Sequence, residues 1–169
     1  MTAEEMLLEL FGTVPALIRA RAEAAPESIA LIQGERTLTF SEFDSLLDRV
    51  AAGLHRDGVG AKDAIAICAG TSIEYVAAFF GALRAGVAVA PLAPSSTAES
   101  LGVMIADSGA KIFFVDRTVA EDMGDVAVAA PKVALDGSDV GQAFDAWLAP
   151  EGAEPPVVDI QPDWAFKII

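Results

Sequence analysis

The sequence predicts a doubly wound α/β fold, a mostly parallel sheet with flanking helices. Three observations lead there. Short apolar runs alternate with segments of helical periodicity along the chain. Two of those runs, Ala64-Ile65-Ala66-Ile67-Cys68 and Ile112-Phe113-Phe114-Val115, lack polar alternation, as parallel strands covered on both faces do. Glycine or proline stands at most changes of pattern and marks where elements end.

Residues 13–25 read as a first helix, opened by Thr13 and Pro15 and stopped by Pro26. Ile29-Ala30-Leu31-Ile32 is a strand, Gln33-Gly34-Glu35 a turn, and Thr37-Leu38-Thr39 the returning strand. Ser41 is the expected cap of the next helix, with Asp44 three residues on as its partner. Phe43, Leu46, Leu47, Val50 and Leu54 form its apolar stripe, and Gly58 and Gly60 end it. After the strand at residues 64–68, Thr71 and Glu74 are expected to open a helix. That helix is apolar nearly all round (Ile73, Tyr75, Val76, Phe79, Phe80, Leu83), which predicts a central place.

Gly86 stops it, residues 87–90 form a strand, and Pro91 and Pro94 stiffen the following loop. A helix over residues 97–108 ends at Gly109, and the buried run from Ile112 follows. Beyond Asp116 the pattern weakens to a strand at residues 133–135 and a short helix over 141–148. The expected organisation is an α/β unit over residues 1–149 and an acidic, proline-bearing linker over 150–162. Residues 163–169 then begin a further strand.

A chain of 169 residues with 53% hydrophobic and 21% charged residues has room for one substantial core. Its 25 acidic against 11 basic residues give a formal charge of −14, which disfavours nucleic acid and anionic membrane surfaces as partners. No apolar run reaches the ~18–20 residues a bilayer requires, and the acidic start lacks the basic region of a secretory signal. The single Cys68 forms no internal disulfide, which fits a cytoplasmic location.

Few residues invite chemistry. His55 is the chain's one histidine, late on an amphipathic helix, and reads as a surface residue without partners for a metal or a proton relay. Cys68 ends an apolar strand and reads as a small core residue, although the helix that starts nearby leaves thiol reactivity open. The loop Ala69-Gly70-Thr71-Ser72 joins a buried strand to a helix N-terminus, where α/β folds bind anions, but it holds no basic residue. Neither a Gly-x-Gly-x-x-Gly nor a Walker-type loop occurs. No catalytic residue and no metal ligand is assigned.

Two stretches nevertheless look familiar. Leu38-Thr39-Phe40-Ser41-Glu42-Phe43 resembles the Leu-Thr-Tyr-x-Glu-Leu segment of adenylate-forming enzymes, the acyl-CoA synthetase or AMP-binding superfamily. Residues 83–94, Leu-Arg-Ala-Gly-Val-Ala-Val-Ala-Pro-Leu-Ala-Pro, resemble that superfamily's Leu-Lys/Arg-Ala-Gly-x-x-x-x-Pro-Leu-Asn/Asp-Pro motif. Ala69-Gly70-Thr71-Ser72-Ile73-Glu74 is similar to its Asn-Ser-x-Glu stretch, and the likeness runs in order from about Thr13 to Ile169.

The resemblance implies the first subdomain of the large N-terminal domain of an ATP-dependent acyl- or aryl-acid–CoA ligase, truncated before the phosphate-binding loop. It implies ATP, Mg2+ and CoA for the parent enzyme, with none held by this segment alone. The partners it implies are a small carboxylic acid, the phosphate-loop subdomain and the C-terminal lid domain; a homodimer stays open. Ser95 stands where some CoA ligases carry an arginine, so Ser95 and Ser96 are the candidate rim of a CoA site, offering hydroxyls only. Ala93, where amino-acid adenylation domains usually have Asp, tips the reading towards CoA ligases. An amino-acid adenylation fragment and a non-enzymatic α/β binding module are the alternatives.

Overall fold

The computed structural model describes residues 2–6, 9 and 11–169. Among them run helices α1 (Ala3–Met6) and α2 (Val14–Ala24), strands β1 (Ile29–Gln33) and β2 (Arg36–Thr39), helix α3 (Phe40–Arg56) and strand β3 (Ala64–Cys68). Helix α4 (Ile73–Arg84), β4 (Ala88–Pro91), α5 (Ala98–Asp107), β5 (Ala110–Val115) and α6 (Arg117–Met123) follow. Strands β6 (Lys132–Ala134) and β7 (Gln142–Ala143) and helix α7 (Phe144–Trp147) complete the regular elements.

β1 and β2 form an antiparallel hairpin, and the remaining strands form a parallel sheet in the order β4-β3-β5-β6-β7. Strand order reverses at β3, so the sheet is doubly wound as the alternation of elements predicts. Successive side chains of the central strands divide between two cores. Ile65, Ile67, Ile112 and Phe114 face α2, α3, α4 and α7, while Ala66, Cys68, Phe113 and Val115 face α5 and α6. β3 is buried along its whole length. Trp147 sits with its ring centroid 5.1 Å from Phe114, and its indole N–H donates to Asp57 Oδ2 at 2.7 Å. Burying one aromatic of this size contributes roughly 2–3 kcal/mol.

Three helices on the larger face are tied together by ions. The Arg84 side chain, 9% exposed, donates to Asp44 and Asp48 on α3 and to the Pro15 carbonyl on α2. Arg19 of α2 meets the same two carboxylates from the outer side.

That network also moves the cap of α3 away from the position the sequence predicts. Asp44 is drawn to Arg84, and the helix cap lies earlier: Thr39 accepts from Glu42 N–H while Glu42 accepts from Thr39 N–H. Ser41 is therefore inside the helix, because the longer Glu reaches back where Asp44 is otherwise engaged. At α4 the cap is Ser72, whose hydroxyl accepts from Tyr75 N–H, in place of Thr71. Glu74 turns outward to Arg36 at 2.6 Å.

The central place expected of α4 holds for one face only. Ile73, Ala77, Ala78, Gly81 and Ala82 are buried, and they let α3 approach closely. Tyr75, Val76, Phe79, Phe80 and Leu83 are half-buried around them. After Asp116 the chain is more regular than its pattern suggests, since α6 forms at once. The expected helix over 141–148 divides into the two-residue β7 and α7.

Candidate functional site

Open α/β sheets bind ligands outside the carboxyl ends of their strands, where the strand order reverses. Here that place is a cleft of about 520 Å³ over β3, β5 and β6. Its floor is the loop Ala69-Gly70-Thr71-Ser72, and its walls include Asp116, Asp136, Asp145 and the tip of the β1–β2 hairpin.

The loop's capacity for an anion is taken up from within the protein. Gly70 N–H donates to Asp116 Oδ2 at 2.7 Å, and the other oxygen of that carboxylate caps α6 by accepting from Val119 N–H at 2.9 Å. Ile73 N–H donates to Gln33 Oε1 of the hairpin at 3.1 Å, and Tyr75 N–H to Ser72. The cation lining the cleft, Arg36, is bonded to Glu74, which raises the pKa of the guanidinium further. Asp136 stays ionised below its ordinary range: burial opposes this, but the Ser138 hydroxyl and N–H and the Arg117 N–H donate to it and prevail. A cleft lined by carboxylates, with three of the N–H groups at its loop and helix start already bonded, disfavours phosphate. The donor set does not fit a nucleotide triphosphate.

The outer side of the same edge is built differently. β4 ends at Pro91, and the loop beyond it turns where Ser96 N–H donates to the Ala93 carbonyl at 3.0 Å. Ser95 is exposed and Ser96 half-buried on this loop. Beside β4 lies residue Lys167, bridged in parallel to Val89, so the segment around it extends the sheet by one short strand. Val89 N–H donates to Phe166 O at 3.0 Å, and Ile168 N–H to Val89 O at 2.9 Å. Phe166 is 64% exposed and Ile169 fully so.

Of the other residues singled out from sequence, His55 lies apart from both places and Cys68 lies buried beneath the cleft floor. His55 is exposed on α3. Cys68 is fully buried, and burial with the nearby Asp116 charge pushes its thiol up to about 11, so it is an inert core residue. Among the described residues no group of three or more His, Cys, Asp or Glu side chains is placed to hold a metal, and no helix is long and apolar enough to cross a membrane. Sequence reasoning missed Asp116 as the bridge between two strand ends. An Asp directly after a buried strand and three residues before Val119 is a helix-cap signal that marks it.

With this geometry in view, residues 18–168 match the family described as AMP-binding enzyme. The chain belongs to the AMP-binding enzyme family. Indigoidine synthase of Streptomyces lavendulae is 31% identical over 170 residues, 98% of this chain and 13% of that protein. The probable non-canonical nonribosomal peptide synthetase CymA of Salinispora arenicola is 30% identical over 113 residues, 67% of this chain and 2% of that protein. Among solved structures, the N-terminal domain of FACL13 from Mycobacterium tuberculosis has a TM-score of 0.80 at 21% identity, a likeness of fold. It is matched over 94% of this chain and 41% of its own. VinN has a TM-score of 0.76 at 28% identity over 92% of this chain and 39% of its own, and is also solved in complex with L-aspartate. The AMP-binding chain thus spans well under half the length of each of these relatives.

Proposed function

We propose that the protein carrying this chain activates a carboxylic acid as its adenylate and passes the acyl group to a thiol. In that chemistry the carboxylate attacks the α-phosphorus of Mg-ATP and releases pyrophosphate. The thiol then attacks the acyl carbon and expels AMP, so a poor electrophile has become a mixed anhydride with a good leaving group. The observation that carries this reading is the family match over residues 18–168.

The acid is an amino acid and the thiol belongs to a carrier protein. The relative named as a nonribosomal peptide synthetase, and VinN with its L-aspartate complex, support this choice. The loop after β4 is consistent with it: Ser95 and Ser96 offer hydroxyls and no cation, whereas a CoA phosphate bound there would need one to neutralise it. The rival is transfer to CoA, with Ser95 and Ser96 at the rim of its site; Ala93, where an aspartate is usual in amino-acid adenylation domains, favours it.

Within either reaction this segment contributes scaffold: the sheet, and the short strand beside β4. Its acidic cleft keeps phosphate away from β3 and β5, and the 1–169 chain alone is inert. A cytoplasmic location and partnership with the remainder of a longer polypeptide accompany the reading.

Amino-acid-dependent exchange of pyrophosphate into ATP tests it, run on the polypeptide encoded by the whole reading frame and on 1–169 separately. Exchange by the former with an amino acid, and none by the latter, is expected. ATP consumption that requires CoA and a fatty or aromatic acid would move the assignment to the CoA ligases. Exchange by pure 1–169 would overturn the scaffold role.

A further inference from the structure

Lys62, with φ 70°, holds a left-handed backbone that is costly for a residue with a Cβ. Two contacts compensate. Its N–H donates to the Gly86 carbonyl at 2.9 Å, and its ammonium lies 4.9 Å from the centroid of the Trp164 ring, within the reach of a cation–π attraction. Gly86 is also left-handed, at φ 69°, and a Cβ there would stand 3.0 Å from Val158 Cγ1 and 3.2 Å from Trp164 Cζ3. The indole is thus seated between a cation and a bare stretch of backbone, at the amino ends of β3 and β4. The main-chain N–H of Trp164 donates to the Gln161 carbonyl at 3.1 Å.

Two residues later the chain joins the sheet, and Val89 supplies both backbone bonds that hold it there. So short a pairing specifies register weakly. A two-residue slip would leave the same side chains facing the same way. Ile168 packs against the α5–α6 core and resists a one-residue slip only. What distinguishes the observed register from its neighbours is the seat of Trp164. From that seat the extended chain crosses the sheet in about 16 Å and brings Ile169 to the level of Pro91, at the ligand-binding edge.

We propose that Trp164, seated by Lys62 and Gly86, is a positioning residue for adenylation: it sets the register of the strand beside β4, and so the point where the polypeptide after Ile169 enters the ligand edge next to Pro91 and Ser95. This rests on the adenylation reading above. The clamp lies at the opposite end of the sheet from the chemistry and touches neither ATP nor the acid.

Two measurements test it on Trp164→Ala, Lys62→Gly and the conservative Trp164→Phe. Amide hydrogen exchange on the 1–169 chain should show Ile168 losing protection about tenfold in the first two variants, with the amides of β3 unchanged. In the full-length enzyme the KM for ATP should rise about tenfold at nearly constant KM for the acid and constant Tm, and Trp164→Phe should restore most of it. Should Trp164→Ala loosen β3 as well, Lys62→Gly decides, since glycine keeps the left-handed backbone while removing the cation. Unchanged Ile168 exchange would refute the clamp. Altered exchange with an unaltered KM for ATP would refute the positioning role. A wild-type enzyme that turns over no ATP would sink the adenylation reading and this role with it.

Discussion

The two halves of the sheet's carboxyl edge make opposite use of similar parts. Over β3, β5 and β6 the protein has a cleft at the strand-order reversal, a helix N-terminus and a glycine-bearing loop, and it fills these with its own carboxylate and amide groups. Beside β4 runs a short strand held through Val89 alone and bearing exposed Phe166. Topology alone would assign the ligand to the first place. The charges and hydrogen bonds weigh against an anion there, because carboxylates line the cleft and the N–H groups of Gly70, Ile73 and Tyr75 are already bonded within the protein.

The sharpest way to break this contrast uses one glycine of the cleft loop and one of the clamp that seats the strand beside β4. Gly86→Ala must place a Cβ on a left-handed backbone and against Val158 and Trp164, and should cost about 2 kcal/mol. Gly70→Ala meets only Asp116 Oδ2 at an ordinary 3.7 Å and should stay within about 0.5 kcal/mol in the same urea titration. Equal losses would mean that the clamp is no tighter than the loop.

Asp116→Ala comes next, at about 1.5 kcal/mol by chemical denaturation, since it strips the acceptor from Gly70 N–H and the cap from α6 together. Asp116→Asn, which keeps a carbonyl oxygen, should recover roughly half of that loss. Arg36→Ala removes an exposed pair with Glu74 and should cost no more than about 0.5 kcal/mol, less in high salt. If it cost more, the hairpin tip would be a principal support of the cleft.

The smallest effect concerns acid. The folded state holds Asp136 below its ordinary pKa, so this group stabilises the fold above the unfolded carboxylate value and loses that contribution as pH falls through the folded one. Ser138→Ala removes one of its donors, the hydroxyl, and should flatten the acid limb of a Tm-against-pH curve slightly, leaving Tm at neutral pH within about 1–2 °C.

Particular elements show how far the linear pattern reached. The unalternating runs at β3 and β5 announced buried parallel strands, and the i, i+4 stripe of α3 announced its buried face. The motif at residues 83–94 pointed to the family from local sequence, and Gly86 within it turns out to need both its φ and its missing side chain. The caps fall two residues before Ser41 and one after Thr71, because local patterns do not say which carboxylate a distant arginine will claim or which of two adjacent hydroxyls faces the helix. The seven residues of α6 are too few for a periodic stripe to stand out in the sequence.

By itself the sequence determined the fold class, the strand cores and the family, since these rest on hydrophobic periodicity and local motifs that repeat along the chain. Only the tertiary structure decided which donors and acceptors at the ends of the strands are engaged from within. That depends on Asp116 meeting Gly70 across 46 positions, on Gln33 meeting Ile73 across 40, and on Trp164 meeting Lys62. Contacts between residues so far apart in sequence exist once the chain has closed on itself, and no local pattern encodes them.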